Sequence, residues 1–290
     1  MTQPLKQRLS PYFRLARMDK PIGTLLLLWP TLWGLWIAGQ GRPDWHLVVI
    51  FGLGTWLMRS AGCVINDWAD RDFDGHVERT QHRPLATGEI KSRHALYFAA
   101  ALALLALLVA LPLNRFALLL TIPALFLAAT YPLTKRFFPV PQAYLGIAFS
   151  FGIPMAFAAQ TNAIPMIAWL LMLANLLWTV AYDTEYAMVD KPDDLKIGIK
   201  TSAITFGRYD VAAVMTCFIG FLALMIWIGI LAGRSWFYFA SLFVVAVEIE
   251  QQYKQIRSRD RQACFAAFLK NNRIGAKIFL GLLADYLIIG

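Results

Sequence analysis

Two groups of acidic residues carry most of the chemistry legible in this chain. The first reads Asn66-Asp67-Trp68-Ala69-Asp70-Arg71-Asp72-Phe73-Asp74, and the second offers Asp183, Asp190 and Asp194. Asp67, Asp70 and Asp74 are spaced i, i+3, i+7, so a continuing helix sets them on one face. The second group, at i, i+7, i+11, makes a similar stripe. Like charges stacked this way destabilise a helix, so positive partners are expected. Converging carboxylates suit hard cations that take oxygen ligands, and Mg²⁺ usually completes its shell with phosphate oxygens. Solvated loop acids beside arginines are the plainer account, but it would have to hold twice, at equivalent places.

No glycine-rich phosphate cradle of the P-loop or dinucleotide type is present. A diphosphate would therefore be held through metal and bases. Arg79 and Arg83 lie beside the first cluster, Lys135 and Arg136 follow Tyr131-Pro-Leu-Thr, and Lys196 stands beside the second. Any one of these also reads as a topological base with no ligand. Arg59 is different, because it falls inside an apolar run seven residues before Asn66, two helical turns away on the same face. A charge at that depth faces a partner or a watery cavity, or snorkels to the interface. An anionic substrate and Asp183 are its two candidate partners.

These residues need elements to position them, and composition says what kind. The 290 residues are 58% hydrophobic and 16% charged, with a mean hydropathy of +0.53. A soluble domain needs more polar surface, so a membrane protein is expected. Apolar runs of spanning length lie near 22–39, 45–65, 95–112, 115–132, 141–160, 163–182, 211–231, 235–251 and 274–290. Both acidic clusters follow the second helix of a four-helix set. Twelve of the 18 acids sit in these two loops, and 22 of the 27 Lys and Arg residues fall on the same face as them. The positive-inside rule makes that face and the N-terminus cytoplasmic. Topology thus accounts for the net charge of +9, and nucleic acid is not needed as a partner.

The first run follows a basic segment without a small-residue cleavage site, so it reads as a retained span. Residues 5–20, with apolar side chains at helical spacing between bases, read as a helix on the membrane surface. Cys63, Cys217 and Cys264 lack metal-ligand spacing and read as free thiols. The phrases Arg83-Pro-Leu-Ala-Thr-Gly and Lys200-Thr-Ser-Ala-Ile-Thr-Phe-Gly end the two loops alike. A weak internal repeat follows: helices one to four over 22–132, five to eight over 141–251, and a ninth over 274–290, within one membrane-embedded domain over 1–290.

The pattern Asn66-Asp-x-x-Asp70-x-x-x-Asp74 with Arg83-Pro-Leu, and Tyr182-Asp-Thr-Glu-Tyr-Ala-Met-Val-Asp190 with Gly198-Ile-Lys-Thr-Ser-Ala, resembles the UbiA superfamily of intramembrane prenyltransferases. The stretches DKPIGTLLLLWPTLW from Asp19 and IPMAFAA from Ile153, with Asn271-Asn272, resemble its 4-hydroxybenzoate branch in ubiquinone synthesis. The resemblance implies an all-α, polytopic fold of nine transmembrane helices around a central cavity, capped on the cytoplasmic side by the two acidic loops. It also implies that Asp67, Asp70, Asp74, Asp190 and Asp194 bind Mg²⁺ and the diphosphate of a polyprenyl donor.

On that footing the enzyme sits in the bacterial inner membrane among lipid and prenylates the ring carbon ortho to the hydroxyl of 4-hydroxybenzoate. Lys135 and the arginines would stabilise the leaving group, Asp183 would orient the phenol or take its ring proton, and Arg59 with Asn66 would hold the aromatic carboxylate. Another aromatic acceptor (a naphthoate, homogentisate or a porphyrin-type ring) is the alternative within the class, and an ion-coupled transporter the alternative outside it. Pro192 departs from the expected pattern. It disfavours helix at Lys191, so the second motif is expected to interrupt its helix or to start a new one.

Overall fold

The structure is a computed structural model and describes residues 5–289. The side chains of Leu5, Lys6 and Arg8, on which the expected surface helix partly rests, lie outside the described residues, as does Gly290 at the end of the ninth run. Among the described residues the chain is all-helical. In order, the α-helices are α1 (Leu5–Leu15), α2 (Ile22–Ala38), α3 (Trp45–Asp70), α4 (Ser92–Ala110), α5 (Arg115–Leu119) and α6 (Thr121–Thr134). They continue with α7 (Pro141–Ser150), α8 (Gly152–Thr161), α9 (Met166–Ile197), α10 (Ser202–Phe206), α11 (Asp210–Leu231), α12 (Trp236–Ile256) and α13 (Arg261–Ile288).

Among the described residues six helical segments, counting α5 with α6, α7 with α8 and α10 with α11, are long and apolar enough to cross a membrane, and α2 is a shorter apolar helix. Two of the expected spans are broken, and proline explains where. Proline cannot donate to the carbonyl four residues earlier. Pro123 orphans Leu119, the last residue of α5, and Pro154 orphans Ser150, the last of α7. Pro192 behaves otherwise than the sequence predicts, because α9 runs through it to Ile197. Ion pairs on both sides brace that turn: Asp190 with Arg79, Lys191 with Asp210, and Asp193 with Arg261.

Hydropathy underestimates three helices because it senses only their apolar part. The run near 45–65 extends to Asp70, that near 163–182 to Ile197, and the last begins at Arg261 rather than near 274. The first motif is corrected too: α3 ends at Asp70, and Asp74 opens a 3-10 turn (Asp74–His76) instead of continuing the stripe.

The main core joins α2, α9, α11, α12 and α13 around Trp33, Trp178 and Phe221. Trp178 stacks on Phe221 with centroids 5.7 Å apart. Gly275 lets α13 close in, since a Cβ there would stand 2.5 Å from Trp29 and 2.9 Å from Trp178. A second core ties α1 to α3 and α4 through Leu15, Ala16, Val64, Ala95 and Ala99. Large apolar side chains such as Leu104, Ile122, Phe126, Ile219 and Phe243 stay exposed, as helices facing lipid require.

All five basic segments meet at one end of the bundle, through Arg17–Asp67, Arg79–Asp190, Lys135–Asp70, Lys191–Asp210 and Arg261–Asp193 contacts. Arg234 and Asp285 pair elsewhere. The three cysteines are free.

Candidate active site

Inside this basic end lies a cavity of about 1700 Å³. Asn66, Asp67, Asp70, Asp74, Asp183, Asp190 and Asp194 all line it, with Arg59, Arg79, Arg83, Tyr131 and Lys135. The two motifs, more than 100 residues apart in sequence, therefore share one chamber. Its remaining wall is apolar. Helices α4 and α6 each pack on α3 but hardly on each other, and Leu104, Ile122, Leu125 and Phe126 line the cavity while staying exposed. The chamber thus opens sideways between α4 and α6.

Most of the motif acids are held by bases. Lys135 donates to Asp70 at 2.6 Å and to Asn66 at 3.0 Å. Arg83 grips both oxygens of Asp74 at 3.0 and 2.9 Å and lies 2.9 Å from Asp67, so it draws Asp74 back to the motif although the helix has ended. Arg79 forks onto Asp190 at 3.1 and 2.5 Å with its guanidinium 4.4 Å above the Tyr186 ring. Burial, the largest single influence, depresses the pKa of Lys135, but the charge and hydrogen bond of Asp70 together with Tyr131 raise the value above that of an ordinary lysine. Burial holds the Asp74 carboxyl above the usual carboxylate range, with Arg83 offsetting part of the shift.

Two acids stand apart. Among the described residues, neither Asp183 nor Asp194 accepts a side-chain hydrogen bond or joins an ion pair. Arg59 likewise pairs with no acid; its Nη1 donates to Cys63 and its Nε is buried without a partner. Asp183 is therefore not its counter-ion. The guanidinium lies over Gly23, where a Cβ would stand 2.5 Å from Nη2. A cationic group in the chamber with an unsatisfied donor is suited to an anionic ligand.

The donors fit a divalent cation shared with phosphate better than a closed cage. Among the described residues no three acidic, histidine or cysteine side chains gather closely enough to hold an ion by themselves. Mg²⁺ is commonly bound by one or two carboxylates plus substrate phosphates, and the unpaired, largely buried Asp194 facing the paired motif meets that need.

Arg136 and Lys196 are not brought to the cavity. Arg136 donates to the Ala69 carbonyl at 2.8 Å and fastens the end of α3, while Lys196 is exposed and pairs with Asp193. Other site residues had no distinguishing mark in the sequence. Arg17 reaches Asp67 at 2.6 Å from the turn after α1, and Tyr186 stacks under Arg79. Gln142 lines the chamber and accepts from the Ser202 backbone at 2.9 Å. The Gly198–Ser202 phrase also has a local use: the Lys200 amide donates to the Lys135 carbonyl at 3.0 Å, which ties the second loop to the lysine-bearing turn.

Such a chamber, with acidic motifs at a basic mouth and an apolar side opening, suits an amphiphile with a charged head and a hydrocarbon tail. Residues 27–280 match the UbiA prenyltransferase family, and the chain belongs to that family. It is 63% identical over 284 residues to the 4-hydroxybenzoate octaprenyltransferase of Azoarcus sp. (strain BH72), covering 98% of this chain and 99% of that protein. Among solved structures, the apo form of a UbiA homologue from Aeropyrum pernix K1 is similar with a TM-score of 0.80 and 26% identity, over 90% of this chain and 97% of that one. A UbiA homologue from Archaeoglobus fulgidus bound to GPP and Mg²⁺ shares the fold with a TM-score of 0.67 at 19% identity, over 96% of this chain and 99% of that one.

Proposed function

We infer that this chain transfers a polyprenyl group from its diphosphate to the ring carbon ortho to the hydroxyl of 4-hydroxybenzoate, giving 3-polyprenyl-4-hydroxybenzoate and diphosphate. The observation that carries the reading is the meeting of both aspartate motifs, the bases and Arg59 in one apolar, side-opening chamber. The activity named for the Azoarcus relative supports it. Metal use is supported by the Archaeoglobus homologue, solved with GPP and Mg²⁺. The whole chain acts as one membrane-embedded unit of nine spans in a bacterial inner membrane, with its basic end and acidic loops as a cytoplasmic cap. Its first eight spans form the pseudo-repeat.

Asp67, Asp70, Asp74, Asp190 and Asp194 would hold Mg²⁺, which when bound neutralises diphosphate charge and eases its departure. Lys135, Arg79 and Arg83 then turn from their acids to the phosphate oxygens, where they stabilise charge as the allylic C–O bond breaks and its electron pair leaves with diphosphate. The apolar wall excludes water from the allylic carbon. Arg59 holds the aromatic carboxylate with Asn66 beside it. Asp183, not engaged by a base, orients the phenol or takes the proton lost when the new C–C bond forms.

The test uses detergent-solubilised chain, labelled 4-hydroxybenzoate, Mg²⁺ and prenyl diphosphates of several lengths. Labelled product should form without any gradient, vanish with chelator and return with Mg²⁺. Absence of prenylated acid under all conditions would remove the reading, and product formation indifferent to chelator would remove the metal from it.

A further inference from the structure

The turn after α1 carries a residue that its backbone does not favour. Met18 N–H bonds to the Phe13 carbonyl and Arg17 N–H to the Arg14 carbonyl, both at 3.1 Å. These are the two bonds of a Schellman motif, whose left-handed position usually takes glycine. Here that position is Arg17, at φ +51°. A side chain kept in a conformation that costs energy is a pointer to its use. The turn is also firmly aimed. Leu15 and Ala16 are buried against α3 and α4, Tyr12 meets Phe98 edge-on at 5.2 Å, and Arg14 pairs with Glu89 of the first acidic loop.

What the turn aims is a guanidinium inside the chamber. Arg17 Nη2 lies 2.6 Å from Oδ1 of Asp67, and Arg83 Nη1 lies 2.9 Å from the same oxygen. The Asp67 side chain is 2% exposed. One motif carboxylate thus carries two arginines, while Asp70 and Asp190 each carry one base and Asp194 none. Arg83 has a second acid, Asp74, to hold it. Among the described residues Arg17 shares its one acid, Asp67, with Arg83, whereas Arg79 and Lys135 are each the sole base on Asp190 and Asp70, so Arg17 is the base that can leave for a phosphate without stripping its acid of a cationic partner.

We propose that Arg17 is a further diphosphate-binding residue, and that it covers Asp67 until cation and diphosphate arrive together. When Arg17 moves to a phosphate oxygen, Asp67 is freed for the cation. Each ligand therefore makes room for the other, and the two bind with positive coupling. This rests on the reading of Asp67 as a metal carboxylate.

Arg17→Gly separates this role from a structural one, because glycine relaxes the turn and removes only the side chain. Mn²⁺ binding to the purified chain is followed by electron paramagnetic resonance, with and without inorganic diphosphate, beside a thermal melt. The variant should melt at or above the parent temperature and bind Mn²⁺ alone more tightly. The enhancement by diphosphate should fall about tenfold, as expected for one charge-assisted hydrogen bond. Arg17→Lys should restore part of the enhancement. Equal Mn²⁺ affinities in the parent and Arg17→Gly, or equal losses with and without diphosphate, would overturn the proposal. Asp67→Asn separates the two failures. If it keeps parental Mn²⁺ binding, the metal reading itself falls; if it loses binding while Arg17→Gly changes nothing, only the hand-over falls.

Discussion

Replacing Gly23 with alanine adds one methyl group where the Arg59 guanidinium lies. The new Cβ would stand 2.5 Å from Nη2, 2.8 Å from Nε and 3.0 Å from Cζ. Those atoms are the far end of a flexible side chain, so the arginine swings aside while the backbone stays. Gly23 is in the first turn of α2, where alanine is the better helix former. Stability should therefore hold or rise slightly. What is lost, on the proposed function, is the placement of Arg59 for the aromatic carboxylate. A charged hydrogen bond is worth about 1.5–3 kcal/mol, so KM for 4-hydroxybenzoate should rise roughly 10- to 150-fold. KM for the prenyl diphosphate should stay within about twofold, since the proposed role gives Arg59 to the carboxylate and not to the diphosphate. Steady-state kinetics with each substrate varied in turn measures both. In an Arg59→Ala background the Gly23→Ala change should add nothing, which closes a double-mutant cycle. An unchanged KM for the acid, or a rise confined to the prenyl diphosphate, would refute the placement of the carboxylate at Arg59.

Lys135→Met removes the ammonium shared by Asp70 and Asn66, and kcat should fall about 10²–10³-fold with the fold intact by thermal melt. Asn271→Leu leaves the Trp178 indole and the Glu185 carboxyl, now bonded to Asn271 at 2.9 Å each, without partners. The cost should be about 1–3 kcal/mol per group, read as a lower melting temperature in detergent. Burial raises the pKa of Asp74, so protons compete with the cation above the pH near 3.9 where a free aspartate titrates. Apparent Mg²⁺ affinity should weaken as pH falls towards that value, and Asp74→Asn should flatten the profile; an unchanged profile in the variant would exclude Asp74 as the titrating group.

Much of the site was legible because its clues were local. The acid clusters, the basic segments and Arg59 inside an apolar run each show within a few dozen residues. The path of the helices was less so. Hydropathy reports where a helix meets lipid, not where it ends, and it stopped short of Asp70, Ile197 and Arg261 at the polar mouth. Pro192 misled because a local penalty was outweighed by ion pairs to Arg79 and Arg261, residues far away in sequence. Arg17 was hidden for the same reason. Among five bases in its segment only a contact 50 residues away distinguishes it. Arg136 and Lys196 had the right type and spacing, but they point to a backbone carbonyl and to a neighbouring acid instead.

The gap between α4 and α6 bears on how fast product can leave. Moving apolar chain into water costs about 0.8 kcal/mol per methylene, so each five-carbon unit adds about 4 kcal/mol. Release through the polar mouth would slow by about three powers of ten for every unit added. Departure sideways, past Leu104 and Ile122, keeps the tail in hydrocarbon throughout and makes the exit barrier nearly independent of tail length. On the proposed function, the opening in the wall would therefore set the rate of product release.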